Sequence, residues 1–339
     1  MRRFLCAIAV AISAVTLARP SRAGERVSAA VLRQNLFSAC FQNDQEGWVV
    51  GDLGRIFHTT DGAKTWHIQS AGNATRSFVS LACPDEGDLW AAGQAGEIAH
   101  SADAGTTWTL QRSSTNRQLL GVAFGNRQRG LAVGDFGVML RTGDGGATWA
   151  KVPFPQGVTL PPDVAEVVDP GDVVLYAVSF ADPEHAWIVG EFGVILASSD
   201  GGLTWHAQDS PVQTSLFGVF FADQQRGWAV GLEATLLQTT DGGRTWRKVH
   251  VESPYGFALA LYGVQVRGNY GWAVGNSGFL LNSKDAGATW QLVNVPVQLR
   301  SSWFRDMSLL PDGRGYIVGA KGLVLAADRD RFTPSKVRF

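Results

Sequence analysis

The sequence predicts an all-β fold, a seven-bladed β-propeller of four-stranded antiparallel blades. A strand that ends in glycine recurs seven times, with successive spacings of 42, 41, 56, 41, 44 and 44 residues. A period in the low forties, with short β-rich runs and a tryptophan in the unit, is typical of propeller blades. Because one small sheet cannot bury both of its faces alone, each unit needs a neighbour on either side. The seven glycines are Gly51, Gly93, Gly134, Gly190, Gly231, Gly275 and Gly319.

The first repeat shows the predicted blade. We expect strand A over Leu36–Phe41, strand B over Gly47–Gly51, strand C over Arg55–Thr59 and a strand D that includes His67–Gln69. These runs are short, rich in β-branched and aromatic residues, and separated by glycine or polar turns, as strands usually are.

Eleven of the twelve tryptophans fall at two repeated positions. Large rings at a repeated position are expected to fill the space between adjacent blades, although such rings can also stack on carbohydrate. The five on strand B are Trp48, Trp90, Trp187, Trp228 and Trp272, and the six that close a turn are Trp66, Trp108, Trp149, Trp205, Trp246 and Trp290.

That turn carries an aspartate in six repeats, in the pattern D-x-[GA]-x-T-W. An aspartate side chain can accept hydrogen bonds from amides two or more residues further on, and glycine permits a positive φ. The loops lack the alternating carboxylates of a calcium loop, so we predict structural corners without a metal. The aspartates are Asp61, Asp103, Asp144, Asp200, Asp241 and Asp285.

Residues 1–23 are predicted to be a signal peptide, and 24–339 a single propeller domain. Arg2 and Arg3 precede a short apolar stretch, and Ser21-Arg22-Ala23 resembles a cleavage site. That stretch is short for a membrane span, so we expect an exported mature form with no direct span, in the periplasm or a compartment like the thylakoid lumen.

Composition and motifs argue against several functions. The net charge of −1 gives no bulk attraction for nucleic acid. The six histidines are scattered singly, and no nucleophile elbow, H-E-x-x-H or phosphate loop occurs. We therefore expect no cofactor, no metal and no catalytic residue. The hairpin acids Asp52, Asp135 and Glu191 directly follow their strand-end glycines, and Glu233 lies one residue further on, so all four are at hairpin tips around a rim rather than across a substrate.

Two cysteines lie outside the predicted signal peptide, Cys40 and Cys83. Counting from the strand-end glycines places them at successive positions of strand A, which point to opposite faces. We expect buried, small apolar side chains, with a disulfide as the alternative in an oxidising compartment.

The seventh repeat lacks the aspartate turn and its tryptophan, which suggests that the ring closes there. The outer strand of the last blade is expected from Ser335–Phe339, or from Val27–Leu32 returning from the other terminus. Either closure removes an exposed sheet edge.

The aspartate turns resemble the Asp-box, or bacterial neuraminidase repeat. Their alternation with G-W-x-V-G-x-x-G is similar to the photosystem II stability and assembly factor family, best in Gly47–Trp66, Gly227–Trp246 and Gly271–Trp290. The resemblance implies an exported, non-enzymatic seven-bladed propeller that helps membrane protein subunits assemble. Members from non-phototrophs are expected to act elsewhere, for instance on a membrane transporter.

The resemblance also implies an arginine-rich surface patch. The positions comparable to it precede strand A, and the fifth blade has Thr214 there, so the pattern is incomplete. The alternative is that these are ordinary solvated arginines or partners of turn carboxylates. The candidate partner-binding residues are Arg76, Arg117, Arg300, Arg305 and Trp303.

Two segments interrupt the repeat. Pro153–Asp172 is a proline-rich insertion, and Ser253–Leu261 is apolar. Each is either a recognition element or a segment without a binding role, and we expect Leu261 onward to belong to the core.

The favoured function is docking onto a membrane protein subunit or membrane transporter of the cell envelope. The alternative is a carbohydrate-active propeller, either a glycoside hydrolase or a lectin, and a third possibility is a structural module of an envelope complex.

Overall fold

The computed structural model describes residues 26–28, 34–253 and 259–334. Seven antiparallel sheets lie in a ring, each with its strands in chain order from the innermost, A, to the outermost, D. The A strands are β2 (Leu36–Phe41), β6 (Phe78–Asp85), β10 (Leu119–Phe124), β14 (Leu175–Phe180), β18 (Leu216–Phe221), β22 (Leu261–Arg267) and β26 (Phe304–Leu309). The B strands are β3 (Gly47–Gly51), β7 (Asp88–Gly93), β11 (Gly130–Gly134), β15 (Ala186–Gly190), β19 (Gly227–Gly231), β23 (Tyr270–Gly275) and β27 (Arg314–Gly319).

The outer half of each blade is shorter, except in blade 1, where the two halves are equally long. The C strands are β4 (Arg55–Thr59), β8 (Ile98–Ser101), β12 (Met139–Thr142), β16 (Ile195–Ser198), β20 (Leu236–Thr239), β24 (Leu280–Ser283) and β28 (Val324–Asp328). The D strands are β5 (Thr65–Ser70), β9 (Thr109–Gln111), β13 (Ala150–Lys151), β17 (His206–Gln208), β21 (Arg247–Lys248), β25 (Gln291–Leu292) and β29 (Arg331–Pro334). A further strand, β1 (Arg26–Ser28), and one short helix, α1 (Pro162–Ala165), complete the regular elements described, apart from 3-10 turns. The predicted seven-bladed fold is confirmed.

The ring closes by packing between blade 7 and blade 1. Across this seam Ser38 Oγ donates to Asp306 Oδ2 at 2.6 Å, and the amide of Phe41 donates to Ser308 Oγ at 2.8 Å. Tyr316 stacks on Phe41 with ring centroids 3.8 Å apart. The seam is therefore a continuous interblade core rather than an open edge.

Neither expected route of closure is the one observed. A hairpin within the seventh repeat supplies its own outer strand, because Asp328 pairs with Arg331 and β28 leads directly into β29. Ser335–Phe339 lie outside the described residues. The N-terminal strand β1 pairs with β5 and so extends blade 1 to five strands, instead of completing blade 7.

The tryptophans pack between blades, as predicted. All eleven repeated rings are buried, and the strand-B rings of blades 1, 2, 5 and 6 have no exposed surface. Trp228 Nε1 donates to the carbonyl of Gly287 at 3.0 Å, and Trp187 Nε1 donates to that of Gly242 at 3.1 Å. These rings thus join one blade to the aspartate turn of the next.

Glycine ends strand B because another chain segment crosses close to it. A Cβ on Gly134 would collide with the carbonyl oxygen of Gln118, which accepts a hydrogen bond from the amide of Asp135 at 3.0 Å. The absence of a side chain lets the connection from the preceding blade lie directly against the B–C hairpin.

Within the ranges that the structure describes, no helix has the length and apolar character needed to cross a bilayer.

Candidate functional site

The ring has two chemically different ends. At the end that we call the hairpin end, B–C hairpins meet D–A connections, as where the amide of Asp52 donates to the carbonyl of Asn35. At the turn end, A–B turns meet the aspartate turns, as where the amide of Gly62 donates to the carbonyl of Gln45 at 2.9 Å. The positions of the residues with a predicted role are described relative to these two ends.

Among the described residues of the turn end, four arginines are paired with carboxylates (Arg127, Arg129, Arg226 and Arg314), while the Arg267 guanidinium lies 5.0 Å from the centroid of the Phe220 ring. Arg127 Nε lies 2.6 Å from Asp85 Oδ2, and Arg314 Nη1 lies 2.7 Å from Asp44 Oδ2; both pairs bridge adjacent blades. Arg226 pairs with its neighbour Asp223 at 2.8 Å. Exposed pairs stabilise a fold only slightly. Their effect here is to neutralise the charges of these paired arginines.

The aspartate turns are satisfied internally. Asp200 accepts hydrogen bonds from Ser198 Oγ at 2.8 Å, from the amide of Leu203 at 2.9 Å, and from both the amide and the hydroxyl of Thr204, at 2.9 and 2.6 Å. Partial burial raises the pKa of Asp200, but the Thr204 and Ser198 bonds outweigh it and lower that pKa to about 2. All six turn aspartates have a lowered pKa. Across the part of the chain described, no group of three histidine, cysteine or acidic residues could hold a metal ion.

On the hairpin end, the predicted arginines are less engaged. Arg76 Nε lies 4.0 Å from Glu97 Oε1, at the limit of an ion pair. The Arg117 guanidinium lies 4.0 Å from the centroid of the Phe136 ring. Among the residues that the structure describes, neither Arg117 nor Arg300 has a carboxylate within ion-pair distance. This end therefore presents positive charge that is available to a partner.

A groove of about 890 Å³ lies on this end between blades 2 and 3. Arg112, Arg117 and Lys151 contribute positive charge to it, and Phe136 forms part of its wall; Glu97 and Asp172 are the acids in its lining. Glu97 Oε2 is buried in the groove without a hydrogen-bond partner among the described residues, and burial raises the pKa of Glu97. The groove thus combines cationic, aromatic and unsatisfied polar groups.

Phe136 is a functional candidate that the sequence reasoning missed. It is 52% exposed at a hairpin tip and has a φ of 55°. The equivalent residue of every B–C hairpin, such as Leu53 or Phe192, has the same left-handed conformation, so the positive φ belongs to the turn. The exposure of a large aromatic ring is what makes Phe136 a candidate, and the available signal was an aromatic residue at a hairpin tip.

Exposed apolar side chains also concentrate on the hairpin end. Of the eight large apolar residues with high exposure in the described part of the chain, five lie there, and Val167 is 83% exposed. Three are at B–C hairpins and two are in D–A connections. The five are Leu53, Phe136, Val167, Leu232 and Val297.

Arg305 and Trp303 lie at the mouth of the central channel rather than on the outer rim. Arg305 is within β26, and its guanidinium lies 5.2 Å from the centroid of the Tyr262 ring. Trp303 stacks on Phe37 across the seam, with centroids 6.1 Å apart. The expected patch is therefore divided among the groove side (Arg76, Arg117), the channel mouth (Arg305, Trp303) and the connection into blade 7 (Arg300).

The proline-rich insertion is anchored to the fold. Leu160 and Val173 are buried in the core between blades 3 and 4, and the amide of Gly137 donates to the carbonyl of Val173 at 2.8 Å. Of the second irregular segment, residues 254–258 lie outside the described residues. The prediction that Leu261 onward is core is confirmed, because Leu261 begins β22 and is fully buried.

The preference for unlinked cysteines is wrong. Cys40 and Cys83 form a disulfide between the inner strands of blades 1 and 2, with Cα atoms 6.3 Å apart. Strand β6 has a register shift between Ala82 and Asp85, so the alternation counted from the glycine does not hold at Cys83. Pro84, which has no amide hydrogen, lies within this bulge.

Two of the hairpin acids have structural contacts. Asp52 accepts from the amide of Asn35 at 3.0 Å, and Glu191 accepts from that of Val174 at 2.9 Å. Burial raises the pKa of Asp135. The positive charge of Arg117 lowers this pKa, and the negative charge of Glu191 raises it further. These acids follow the rim from one hairpin to the next.

Comparisons with known proteins agree with this architecture. The family model described as photosynthesis system II assembly factor YCF48 matches residues 24–114 and 204–302, more than half of the chain. The chain is 36% identical over 62 residues to the chloroplastic photosystem II stability/assembly factor HCF136 of Cyanidioschyzon merolae; that match spans 18% of this chain and only 11% of the relative.

Solved structures show the same fold at low identity. A YCF48 bound to D1 peptide is 19% identical with a TM-score of 0.68, covering 92% of this chain and 97% of the other. A YCF48 from Cyanidioschyzon merolae is also 19% identical at a TM-score of 0.68, covering 90% and 98%. A GH74 xyloglucanase from Xanthomonas campestris is 15% identical with a TM-score of 0.69, covering 93% of this chain and 54% of the enzyme. On the strength of the family-model match, the chain belongs to the YCF48 family of photosynthesis system II assembly factors.

Proposed function

We propose that this chain is an exported, non-enzymatic propeller whose hairpin end docks onto a membrane protein of the cell envelope during assembly. The contact surface consists of Arg76, Arg117, Phe136 and the groove between blades 2 and 3. Arg300 and the exposed tip of the 153–172 insertion extend it.

The observation that carries this proposal is the difference between the two ends. On the turn end, Arg127, Arg226 and Arg314 are paired with acids. On the hairpin end, Arg117 lies over an exposed aromatic ring instead. Exposed apolar groups with unpaired arginines are typical of protein-binding surfaces, in which aromatic residues and arginine are enriched.

The related structure with a bound D1 peptide supports a peptide segment as the ligand. A segment that carries acidic and apolar residues would match the groove, since the acids would pair with Arg117 and Lys151 while apolar side chains contact Phe136. The xyloglucanase likeness indicates fold alone at its level of identity, so the carbohydrate-active alternative gains no support from it.

Export is supported by the disulfide. Disulfides persist in oxidising compartments such as the periplasm and are rare in the cytosol. Residues 1–23, the predicted signal peptide, lie outside the described residues. The mass of the protein recovered from the periplasm should correspond to a chain that starts at Gly24; a full-length mass in that fraction would contradict cleavage at this site.

Binding should depend on the charge of one end only. We expect the Arg76→Glu/Arg117→Glu double variant to bind the D1 peptide, or the corresponding peptide of the host, at least ten-fold more weakly in fluorescence anisotropy. The matched control is Arg127→Glu/Arg226→Glu on the turn end, which should leave affinity within two-fold. Equal losses in both variants, with both folded by circular dichroism, would contradict docking at the hairpin end.

A further inference from the structure

Every A strand carries a register shift directly after its first residue, and this inserts one extra residue at the hairpin end of the channel. These seven residues all line the central cavity, whose volume is about 850 Å³. We call them the mouth ring: Phe37, Val79, Leu120, Tyr176, Phe217, Tyr262 and Arg305.

Arg305 is the single cation of an otherwise apolar and aromatic mouth ring. Its nearest described partner is the Tyr262 ring, and no described carboxylate or hydrogen-bond acceptor pairs with its guanidinium. Burial lowers its pKa. Arg305 is only partly exposed, and a desolvated charge is usually paired or hydrogen-bonded, so this position is suited to a counter-ion.

The neighbouring Asp306 is already engaged elsewhere. Its Oδ2 accepts from Ser38 Oγ at 2.6 Å and from the amide of Ala39 at 3.2 Å, and its Oδ1 accepts from the amide of Met307 at 2.8 Å. The carboxylate is thus committed to the seam with blade 1. Its negative charge raises the pKa of Arg305, against the effect of burial, but the carboxylate leaves the guanidinium donors free.

The aromatic side chains beside Arg305 form a continuous surface. Phe217 lies between Tyr176, at a centroid distance of 4.9 Å, and Tyr262, at 5.7 Å. On the other side of Arg305 across the seam, Phe37 stacks on Trp303. An organic group held against Arg305 would therefore have aromatic partners on both sides.

We propose that the mouth of the central channel is a binding site for a small organic monocarboxylate with an aromatic body. The carboxylate pairs with the Arg305 guanidinium, and the ring packs against Phe217 and Tyr262. Planar, bidentate pairing of this kind is what the guanidinium fork favours. The site is separate from the contact surface of the proposed function, since neither Arg76 nor Arg117 takes part.

The electrostatic surroundings select a single negative charge. The pKa of Tyr176 is raised to about 12 by burial and by the charges of Glu191 and Asp135. These two acids lie on the blade 3 and 4 side of the ring, where they oppose a second negative charge. A phosphate dianion is therefore disfavoured relative to a carboxylate.

Isothermal titration of the full chain with phenylacetate tests the site, using phenylacetamide, phenyl phosphate and acetate as comparators. We expect phenylacetate to bind, the neutral amide and acetate to bind at least ten-fold more weakly, and the phosphate ester to bind more weakly than the acid. Equal binding of phenylacetate and phenylacetamide would overturn the proposal. This comparison uses the wild-type protein alone.

Two variants and one matched control locate the site. Arg305→Met should weaken phenylacetate binding roughly ten- to hundred-fold, as expected for loss of a charged hydrogen-bond partner. The matched Arg300→Met, on the same end of the ring, should leave it unchanged, and Phe217→Leu should weaken it several-fold with the charge intact. Equal affinities of the Arg305 and Arg300 variants, or no binding to the wild type, would overturn the proposal.

A chain-terminal carboxylate presents the same chemistry. A short peptide ending in phenylalanine, with a free or an amidated C-terminus, separates the two sources. Stronger binding of the free acid than of phenylacetate would support the site with a polypeptide end as its ligand. Equal binding of both peptide forms would show that the carboxylate is not recognised and would overturn the proposal.

Discussion

Reducing the Cys40–Cys83 disulfide should lower the stability of the propeller substantially. The two cysteines are 43 residues apart in the chain and join the inner strands of blades 1 and 2. In the chain-entropy treatment, releasing a loop of this length costs about 4 kcal/mol at 25 °C. With an unfolding entropy of about 2.1 cal/mol/K per residue, a loss of this size lowers Tm by roughly 6 °C.

The assay is a thermal melt of the purified mature protein, followed by circular dichroism, with and without a phosphine reductant. The Cys40→Ser/Cys83→Ser double variant should melt like the reduced wild type. Adding the reductant to that variant should produce no further shift, which controls for effects of the reagent. A wild-type Tm that is unchanged by reduction, or two alkylatable thiols before reduction, would refute the reasoning.

Three further predictions follow from the packing. Asp200→Ala should cost about 2 kcal/mol in chemical denaturation, discounted for the partial exposure of its hydrogen bonds. Because the pKa of Asp200 is lowered from its usual 3.8 to about 2, that stabilisation should be complete above pH 4 and lost as the pH falls towards 2. The cost of Asp200→Ala should therefore disappear in melts near pH 2, and a cost that persisted there would contradict the assignment. Trp228→Ala should cost about 3–5 kcal/mol and Trp228→Phe less, because the larger change leaves an interblade cavity and both lose the bond to Gly287; equal costs would argue against a packing role. Removing residues 1–33 should lower Tm by only a few degrees, since β1 adds an outer strand to blade 1 and leaves the seam intact; loss of the cooperative transition would mean that the N-terminus closes the ring.

The architecture could be predicted because its signals repeat. Each strand-end glycine and each buried tryptophan restates the same packing constraint, so errors at one repeat are corrected by the others. Trp228 and Trp187 illustrate this, since both rings bond to the turn of the following blade.

Local departures from the repeat could not be predicted by counting residues along a regular strand. Cys83 reaches Cys40 because β6 contains a second bulge, which alters the direction of its side chain. Arg305 was expected just before a strand on the rim, whereas the register shift in β26 places it inside the strand and in the channel wall. Long-range contacts such as the stacking of Trp303 on Phe37 depend on which blades meet at the seam.

If the hairpin end holds the partner, site-specific photo-crosslinking in the native host should detect the contact there. A photoreactive phenylalanine analogue at Phe136 is compared with the same analogue at Gln225, an exposed A–B turn residue on the opposite end. We expect one envelope membrane protein to crosslink at position 136, this product to be lost in the Arg76→Glu/Arg117→Glu background, and position 225 to give none. Crosslinking of the same membrane protein at position 225 but not at 136 would contradict docking at the hairpin end.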